Sequence, residues 1–353
     1  METPPTLRLC QNTSAWKGED LRQCGTWILQ LDGADNAELR QAVVHARKCG
    51  LGIPELTAAD FPLPTLAPRI AHMLDELTHG MGLKLVRGFD IQNVSVPDAA
   101  LAFWGLGAHM GVGRAQNAQG DLLGHVTDLG LDFKTNHNVR GYQTRLVLPF
   151  HNDALDIVGL MCVRNAKTGG KTRVVSSTAI HNAIARQRPD LLRVAFEDFY
   201  QDKRGEAPEG TLPYHAGPLF IWLNNQLFCR YNRTFYESAQ RFAEVPRLTA
   251  AQLELMQLID ALCMDPVYCL EMNLEPGDMQ FLNNYTVLHS RTAYQDWDDF
   301  DKRRYLLRLW LDTGKFGELP EAIANRHQDM LRWQANPKPP SFDLSMVRAE
   351  LAH

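Results

Sequence analysis

No stretch of this chain stays apolar long enough to cross a membrane. The longest clean run, Ile157 to Val163, has seven residues, against the roughly 20 that a helical span requires. The first ten residues, METPPTLRLC, lack both a basic start and an apolar stretch, so no signal peptide is expected. Basic blocks are missing too. Lys plus Arg is 36 against 41 for Asp plus Glu, a net charge of -5, which argues against a nucleic-acid partner. The seven cysteines, Cys10, Cys24, Cys49, Cys162, Cys229, Cys263 and Cys269, include no Cys-x-x-Cys pair, and their number is odd. Reduced and largely buried thiols in a cytoplasmic protein are the expectation. Cys10, Cys24 and Cys49 could be combined with His45 into a zinc site, but their spacing matches no zinc module. His-Glu-x-x-His is also absent, which removes the usual signature of a zinc hydrolase.

What is present has ordinary globular composition, with 45% hydrophobic and 22% charged residues, 25 glycines and 19 prolines. A length of 353 residues allows two domains or one large one. No internal repeat is visible. The spacing predicts helices over 34–49, 64–77, 99–110 and 248–264, a helix capped by Ser177 and running to about 186, and another begun by Pro189. Strands are expected at 83–91, within 142–163, at 172–175 and at 305–311. Phe220 to Tyr231 reads as a hairpin about Asn224-Asn225, and 268–283 as strand, turn, strand about Glu275-Pro276-Gly277-Asp278. Short strands separated by long helical insertions disfavour a regular βαβ alternation. A mainly β fold, a jelly roll decorated by helices, fits better.

His151-Asn152-Asp153 is the first chemical candidate. On a strand, residues i and i+2 share a face, so an imidazole and a carboxylate can approach one ion together. His327-Gln328-Asp329 repeats the pattern, but inside an expected helix over 320–333. There the two side chains diverge by about 200°, and His327 is expected at the surface. His289, carried inward by Thr286-Val287-Leu288, is the candidate third ligand; a packed, hydrogen-bonded histidine is the alternative. Two histidines and one carboxylate leave three positions open on one side of an ion. This is the donor set of non-haem Fe(II) oxygenases, where a chelating cosubstrate takes two of them and dioxygen one.

A dicarboxylate cosubstrate needs a fixed cation at its far end. Arg304 and Arg308 share one face of the 305–311 strand with Leu306 and Trp310, and burying guanidiniums there is costly unless they are paired. A bidentate carboxylate would pair them; so would Asp296, Asp298, Asp299 or Asp301.

In this order, His-x-Asp, Gly169-Gly170-Lys171-Thr172, Pro276-Gly277-Asp278, His289, Arg304 and Arg308 resemble the Fe(II)/2-oxoglutarate-dependent dioxygenases of the taurine dioxygenase (TauD/TfdA) family. The resemblance covers about residues 80–315. It implies a double-stranded β-helix, the jelly roll of clavaminate synthase-like enzymes, with Fe(II) held by His151, Asp153 and His289. It further implies that Thr172 and Arg304 bind the distal carboxylate of 2-oxoglutarate, and that Arg308 meets an acidic group of the substrate. Asn152 stands where the family often has Thr, and it should point away from the metal. Halogenating relatives lack the carboxylate that Asp153 supplies here, so halogenation is not expected.

The organisation expected on this basis is a mixed helical lead-in over 1–75, a catalytic core over 76–318, and a helical tail over 319–353. The activity expected is oxidation of an unactivated C–H bond in a small, carboxylate-bearing metabolite or amino acid. Hydroxylation, desaturation or cyclisation would be coupled to consumption of dioxygen and release of succinate and CO2. A metal-binding jelly roll without turnover, a sensor or binding protein, is the competing reading, although such a protein would have no use for a distal carboxylate clamp. Asn283, Asn284 and Tyr142 are candidates to line the substrate cavity, while Trp104, Trp222 and Trp310 are expected in the core. His125, His137, His181 and His215 are placed in loops or at helix ends. Residues 116–140 and 202–219 are lid candidates on composition.

Overall fold

The structure, a computed structural model, describes residues 7–130 and 140–343. Its larger sheet has seven strands in the order Ile28–Gln30, Leu83–Arg87, Met279–Asn283, Ile157–Arg164, Tyr305–Asp312 and Val112–Gly113, with Leu123–Val126 also pairing with Tyr305–Asp312. A smaller sheet runs Leu270–Met272, Thr172–Ser176, Val287–Arg291, Leu148–His151. From Leu148 onward the chain passes back and forth between the two. Leu148–His151 hands over to Ile157–Arg164 across the gap, and Met279–Asn283 to Val287–Arg291 to Tyr305–Asp312. The pairings of these strands are antiparallel. The expected double-stranded β-helix with helical insertions is therefore the fold.

Alternation along one strand shows how the layers arise. Tyr305, Leu307, Leu309 and Leu311 join an outer cluster with residues of the helices Gly33–Lys48, Leu66–Thr78 and Val96–Ala108. Leu306 and Trp310 point the other way, into a cluster shared with Val174, Leu270, Met272 and Val287 of the smaller sheet. Period-two patterning thus puts Arg304 and Arg308 between the sheets. The outer side of the smaller sheet is covered by Ser177–Gln187 and Ala250–Met264, whose Ile180, Ile184, Leu255 and Ile259 pack on Phe150, Val175 and Leu288.

Local signals set most boundaries. Thr249 and Gln252 form a reciprocal capping box at the start of Ala250–Met264. Asn224 and Asn225, at φ 48° and 64°, supply the left-handed pair that a two-residue hairpin needs. The cap of the helix beginning at Ser177 is Ser176, not Ser177; its hydroxyl accepts from the Ala179 amide at 2.9 Å. The strand expected over 83–91 stops at Arg87, because Gly88 turns to φ +96°. The Glu275–Asp278 turn does not make a hairpin. It passes the chain from the smaller to the larger sheet, held by Asp278, which caps the Glu275 amide at 3.0 Å and pairs with Arg87 at 2.7 Å.

The chain before residue 76 joins the larger sheet directly. Ile28–Gln30 adds a parallel edge strand beside Leu83–Arg87, and Trp16 and Trp27 enter the cluster between the sheets. All seven cysteines are free, five of them buried. The zinc site imagined from Cys10, Cys24, Cys49 and His45 does not form. Among the described residues the one group able to hold a metal is His151, Asp153 and His289. No helix among the described residues is long and apolar enough to cross a membrane.

Candidate active site

His151 ends its strand directly opposite His289, its cross-strand partner in the smaller sheet. The two rings lie 4.3 Å apart between centroids. Asp153 follows two residues later, with Oδ1 3.9 Å from His151 Nε2. One ligand atom from each of the three falls within 4.8 Å of the others. Their partners fix how they present themselves. The Pro149 carbonyl lies 2.8 Å from His151 Nδ1; donation there leaves Nε2 with its lone pair facing Asp153. Asp153 Oδ2 accepts from Trp310 Nε1 at 2.9 Å and lies 3.5 Å from Arg308. His289 Nδ1 is buried without a hydrogen-bond partner.

Burial lowers the pKa of both imidazoles, His289 down to about 3, where His151 adds to the effect. Burial also pushes the Asp153 carboxyl up, but Arg308, the two histidines and the Trp310 N–H outweigh it and hold it down to about 2. At neutral pH the site therefore presents two neutral imidazoles and one carboxylate, the protonation states a divalent ion requires. An unsatisfied buried nitrogen within such a set fits a metal.

Asn152 turns away, as expected. Its amide donates to the carbonyls of Cys229 and Asn284 and accepts from the Tyr231 amide at 2.9 Å, zipping the loop to a neighbouring segment. Asn284 does not line the cavity. It is fully buried behind the same loop, donating to Leu155 O at 2.7 Å and accepting from the Asp153 amide at 3.2 Å. Asn283 likewise bonds to Leu77 O at 2.9 Å. Hydrogen bonding to neighbouring backbone claims both side chains, and neither residue is among those lining the cavity.

A cavity of about 320 Å³ opens beside the triad, lined by Tyr142, Thr172, Arg291, Arg304, Arg308 and Trp310, among others. Arg304 is 4% exposed, and its Nη1 has no hydrogen-bond partner. The acids at 296–301 do not pair with its guanidinium: Asp296 caps only its backbone amide, at 2.8 Å. The turn at Gly169-Gly170 explains how it fits. Gly170 lies at φ +71°, and a Cβ there would come within 3.0 Å of Arg304 Nε. Next to it is Arg291, which sequence reasoning missed although it shares the His289 face at i+2. Arg291 donates to the carbonyls of Thr144 and Leu146 at 2.7 and 2.6 Å, yet keeps Nε and Nη1 unsatisfied. The Tyr294 ring lies between the two guanidiniums, 4.8 Å from Arg291 and 5.2 Å from Arg304. Two buried cations without a carboxylate partner among the described residues fit the distal end of a dicarboxylate.

Arg308 is held on three sides. Gln116 accepts from its Nε at 2.7 Å, and the rings of Tyr142 and Trp310 flank it at 4.4 and 4.7 Å. Gly124 leaves room for this pair, since a Cβ there would sit 2.6 Å from Gln116 Oε1. Trp310 is thus part of the site as well as of the core, a role its place on the Arg304–Arg308 face could have signalled. Trp310→Phe is expected to keep the ring contact but lose the hydrogen bond to Asp153, weakening the binding of a divalent metal by about 10- to 100-fold. Metal titration of the purified variant measures this.

Other histidines depart from expectation. His327 is half-buried, its Nε2 lying 3.0 Å from Ala154 O and 3.2 Å from the Tyr285 hydroxyl, because the helix Glu321–Trp333 packs onto the loop after Asp153. His125 and His215 lie within strands, His181 inside a helix, and His137 outside the described residues. Both stretches named as lids contribute to the cavity wall, through Gln116 and Arg140 and through Lys203, Arg204, Glu206 and His215.

The fold and the site together describe a jelly roll in which two histidines and one carboxylate are grouped as a metal ion needs, with a cationic cavity beside them. The sequence model of the taurine catabolism dioxygenase TauD, TfdA family matches residues 49–310. FR-33289 synthase of Streptomyces rubellomurinus is 32% identical over 322 residues, covering 90% of this chain and 94% of that protein. Taurine hydroxylase-like protein SAT17 of Stachybotrys chartarum is 28% identical, with 90% and 84% covered. Asparagine oxygenase, solved with Fe(II), 2S,3S-3-hydroxyasparagine and succinate, superposes with a TM-score of 0.63 at 16% identity over 81% of this chain and 94% of that one. The oxygenase OrfP, solved with Fe and alpha-ketoglutaric acid, gives a TM-score of 0.58 at 16% identity, over 81% and 94%. The chain belongs to the TauD/TfdA family and is a non-haem Fe(II)- and 2-oxoglutarate-dependent dioxygenase.

Proposed function

We propose that His151, Asp153 and His289 hold the Fe(II), that Thr172 and Arg304, with Arg291 beside them, take the distal carboxylate of 2-oxoglutarate, and that Arg308 and Tyr142 receive a small anionic substrate. The observation that carries this assignment is the buried, unpaired Arg304 guanidinium lining the cavity that also contains the three ligands. When bound, Fe(II) with 2-oxoglutarate and dioxygen supplies the oxidising power, releasing succinate and CO2 as one oxygen atom goes to the substrate. The chain supplies placement. Trp310 and Pro149 orient the ligands, Gln116 and the two aromatic rings hold Arg308, and Val126, Leu160 and Leu306 give the cavity its apolar lining. A volume of about 320 Å³ lies within the range of small-molecule sites.

Asparagine oxygenase was solved with a hydroxylated amino acid and OrfP with L-Arg. An amino acid or related acid is therefore the class assigned here, with hydroxylation as the main outcome and desaturation or cyclisation as variants. Fe(II) plus 2-oxoglutarate, mixed anaerobically, is expected to give a weakly coloured complex that zinc-loaded protein does not show. Succinate release across a panel of small acids, with product mass read in parallel, then identifies substrate and outcome. A gain of one oxygen means hydroxylation, and a loss of two hydrogens means desaturation or ring closure. Absence of the colour in the intact chain would sink the assignment.

A further inference from the structure

The C-terminal helix Glu321–Trp333 lies beyond residues 49–310, which the family model matches. It nonetheless forms part of the cavity wall, through Arg326, Asp329, Met330 and Trp333. Ile323 and Met330 are buried, and Arg326 and Trp333 fall near the same helical stripe at three- and four-residue spacings. Packing of the apolar members therefore delivers Arg326 to the chamber.

Several other charges lining the cavity near this helix are paired. Lys203 pairs with Asp329 at 2.7 Å and Arg140 with Glu206 at 2.5 Å, while Asp202 is taken by Arg241 at 2.9 Å. His215 stands 3.8 Å from Asp329, and burial holds its pKa down. Arg326 forms no ion pair or hydrogen bond among the described residues. Burial lowers its pKa to about 10, Arg230 pushes it the same way, and Asp153 opposes them. Arg308 and Arg326 act on the same two carboxylates, Asp153 and Glu206, so the two guanidiniums face one chamber. Asp153 is committed to the metal centre and Glu206 to Arg140. Arg308 shares Asp153 with the metal centre and Arg326 has no ion pair among the described residues; such cations at a cavity wall are costly, and a ligand bringing two negative charges would lower that cost.

We propose that Arg326 is a second anion-binding residue of the substrate chamber, and that the substrate carries two negative charges, one met by Arg308 and one by Arg326. This rests on the placement of the substrate beside Arg308 given above, and it narrows the substrate class from acids in general to diacids or their phosphorylated counterparts.

The test is calorimetric binding of matched pairs to the full chain, with and without Fe(II) and 2-oxoglutarate: L-aspartate against L-asparagine, L-glutamate against L-glutamine, O-phospho-L-serine against L-serine. Wild type is expected to bind the more anionic member of at least one pair about tenfold or more tightly. Arg326→Gln is expected to erase that preference, weakening the anion by about tenfold or more while leaving the neutral partner and the coloured 2-oxoglutarate complex unchanged. Arg326→Lys should restore part of it. Equal binding of acid and neutral partner, no binding of any dianion to wild type, or a preference that survives Arg326→Gln overturns the proposal. Loss of the coloured complex in Arg326→Gln also overturns it, because the residue would then belong to the cosubstrate site. Absence of colour in wild type with the Arg326-dependent preference intact would instead count against the iron assignment alone.

Discussion

Replacing Arg304 by alanine is expected to raise the 2-oxoglutarate concentration needed for half-maximal succinate release by about 30-fold or more. Removing one partner of a buried, desolvated charge pair costs about 2–5 kcal/mol, and each 1.4 kcal/mol is about tenfold in affinity. Arg304 has no acid of its own among the described residues, so the full cost falls on the cosubstrate. Arg304→Lys should recover only part, since an ammonium cannot give the bidentate grip. Arg193→Ala, at an exposed position, should change nothing. An unaltered 2-oxoglutarate affinity in Arg304→Ala would remove Arg304 from the cosubstrate site, whatever happened to the overall rate.

Acid should destabilise the metal-free protein early. Burial lowers the pKa of His125 to about 4 and that of His289 to about 3, and it also lowers those of His151, His215 and His327. A group whose native pKa lies below its unfolded value of 6.5 stays neutral in the fold while the unfolded chain takes up a proton. Stability therefore falls as pH drops below about 6.5 and continues falling to the native pKa. Each such histidine contributes about 1.4 kcal/mol per pH unit in that window. Asp153 adds a later loss, as pH falls from its ordinary 3.8 towards about 2. Bound Fe(II) should be released over the same acid range, because its ligands must stay deprotonated. Urea midpoints of the metal-free chain at pH 8, 6.5 and 5.5 measure the effect; a midpoint at pH 5.5 equal to that at pH 8 would contradict it.

Residues with two differently used faces were legible from the sequence. The stretch 304–311 carries Tyr305, Leu307, Leu309 and Leu311 at alternate positions and Arg304, Leu306, Arg308 and Trp310 between them, and those two sets separate into the outer layer and the cavity. Helix ends with Ser, Thr or Pro signals fell within a few residues of expectation. What escaped was set by contacts far apart in the chain. Asn284 looks like a cavity residue by position, yet the Asp153 amide and the Leu155 carbonyl capture its side chain. His327 looks exposed on its own helix, and only the docking of that helix on Ala154 and Tyr285 buries it. Arg291 and Trp310 lie on faces that a period-two reading marks, beside His289 and Arg308, whereas Gln116 reaches Arg308 only through a contact far apart in the chain, which no local period records.

His151 and His289 are cross-strand neighbours although most of the catalytic core separates them along the chain. An ion gripping both would act as a staple over that whole loop. It could close only after the two strands had found each other, so loading should slow unfolding far more than it speeds folding. The same geometry makes loss of iron a mechanical event as well as a chemical one: once the staple opens, the strand pair that frames the cavity is held by its hydrogen bonds and packing alone.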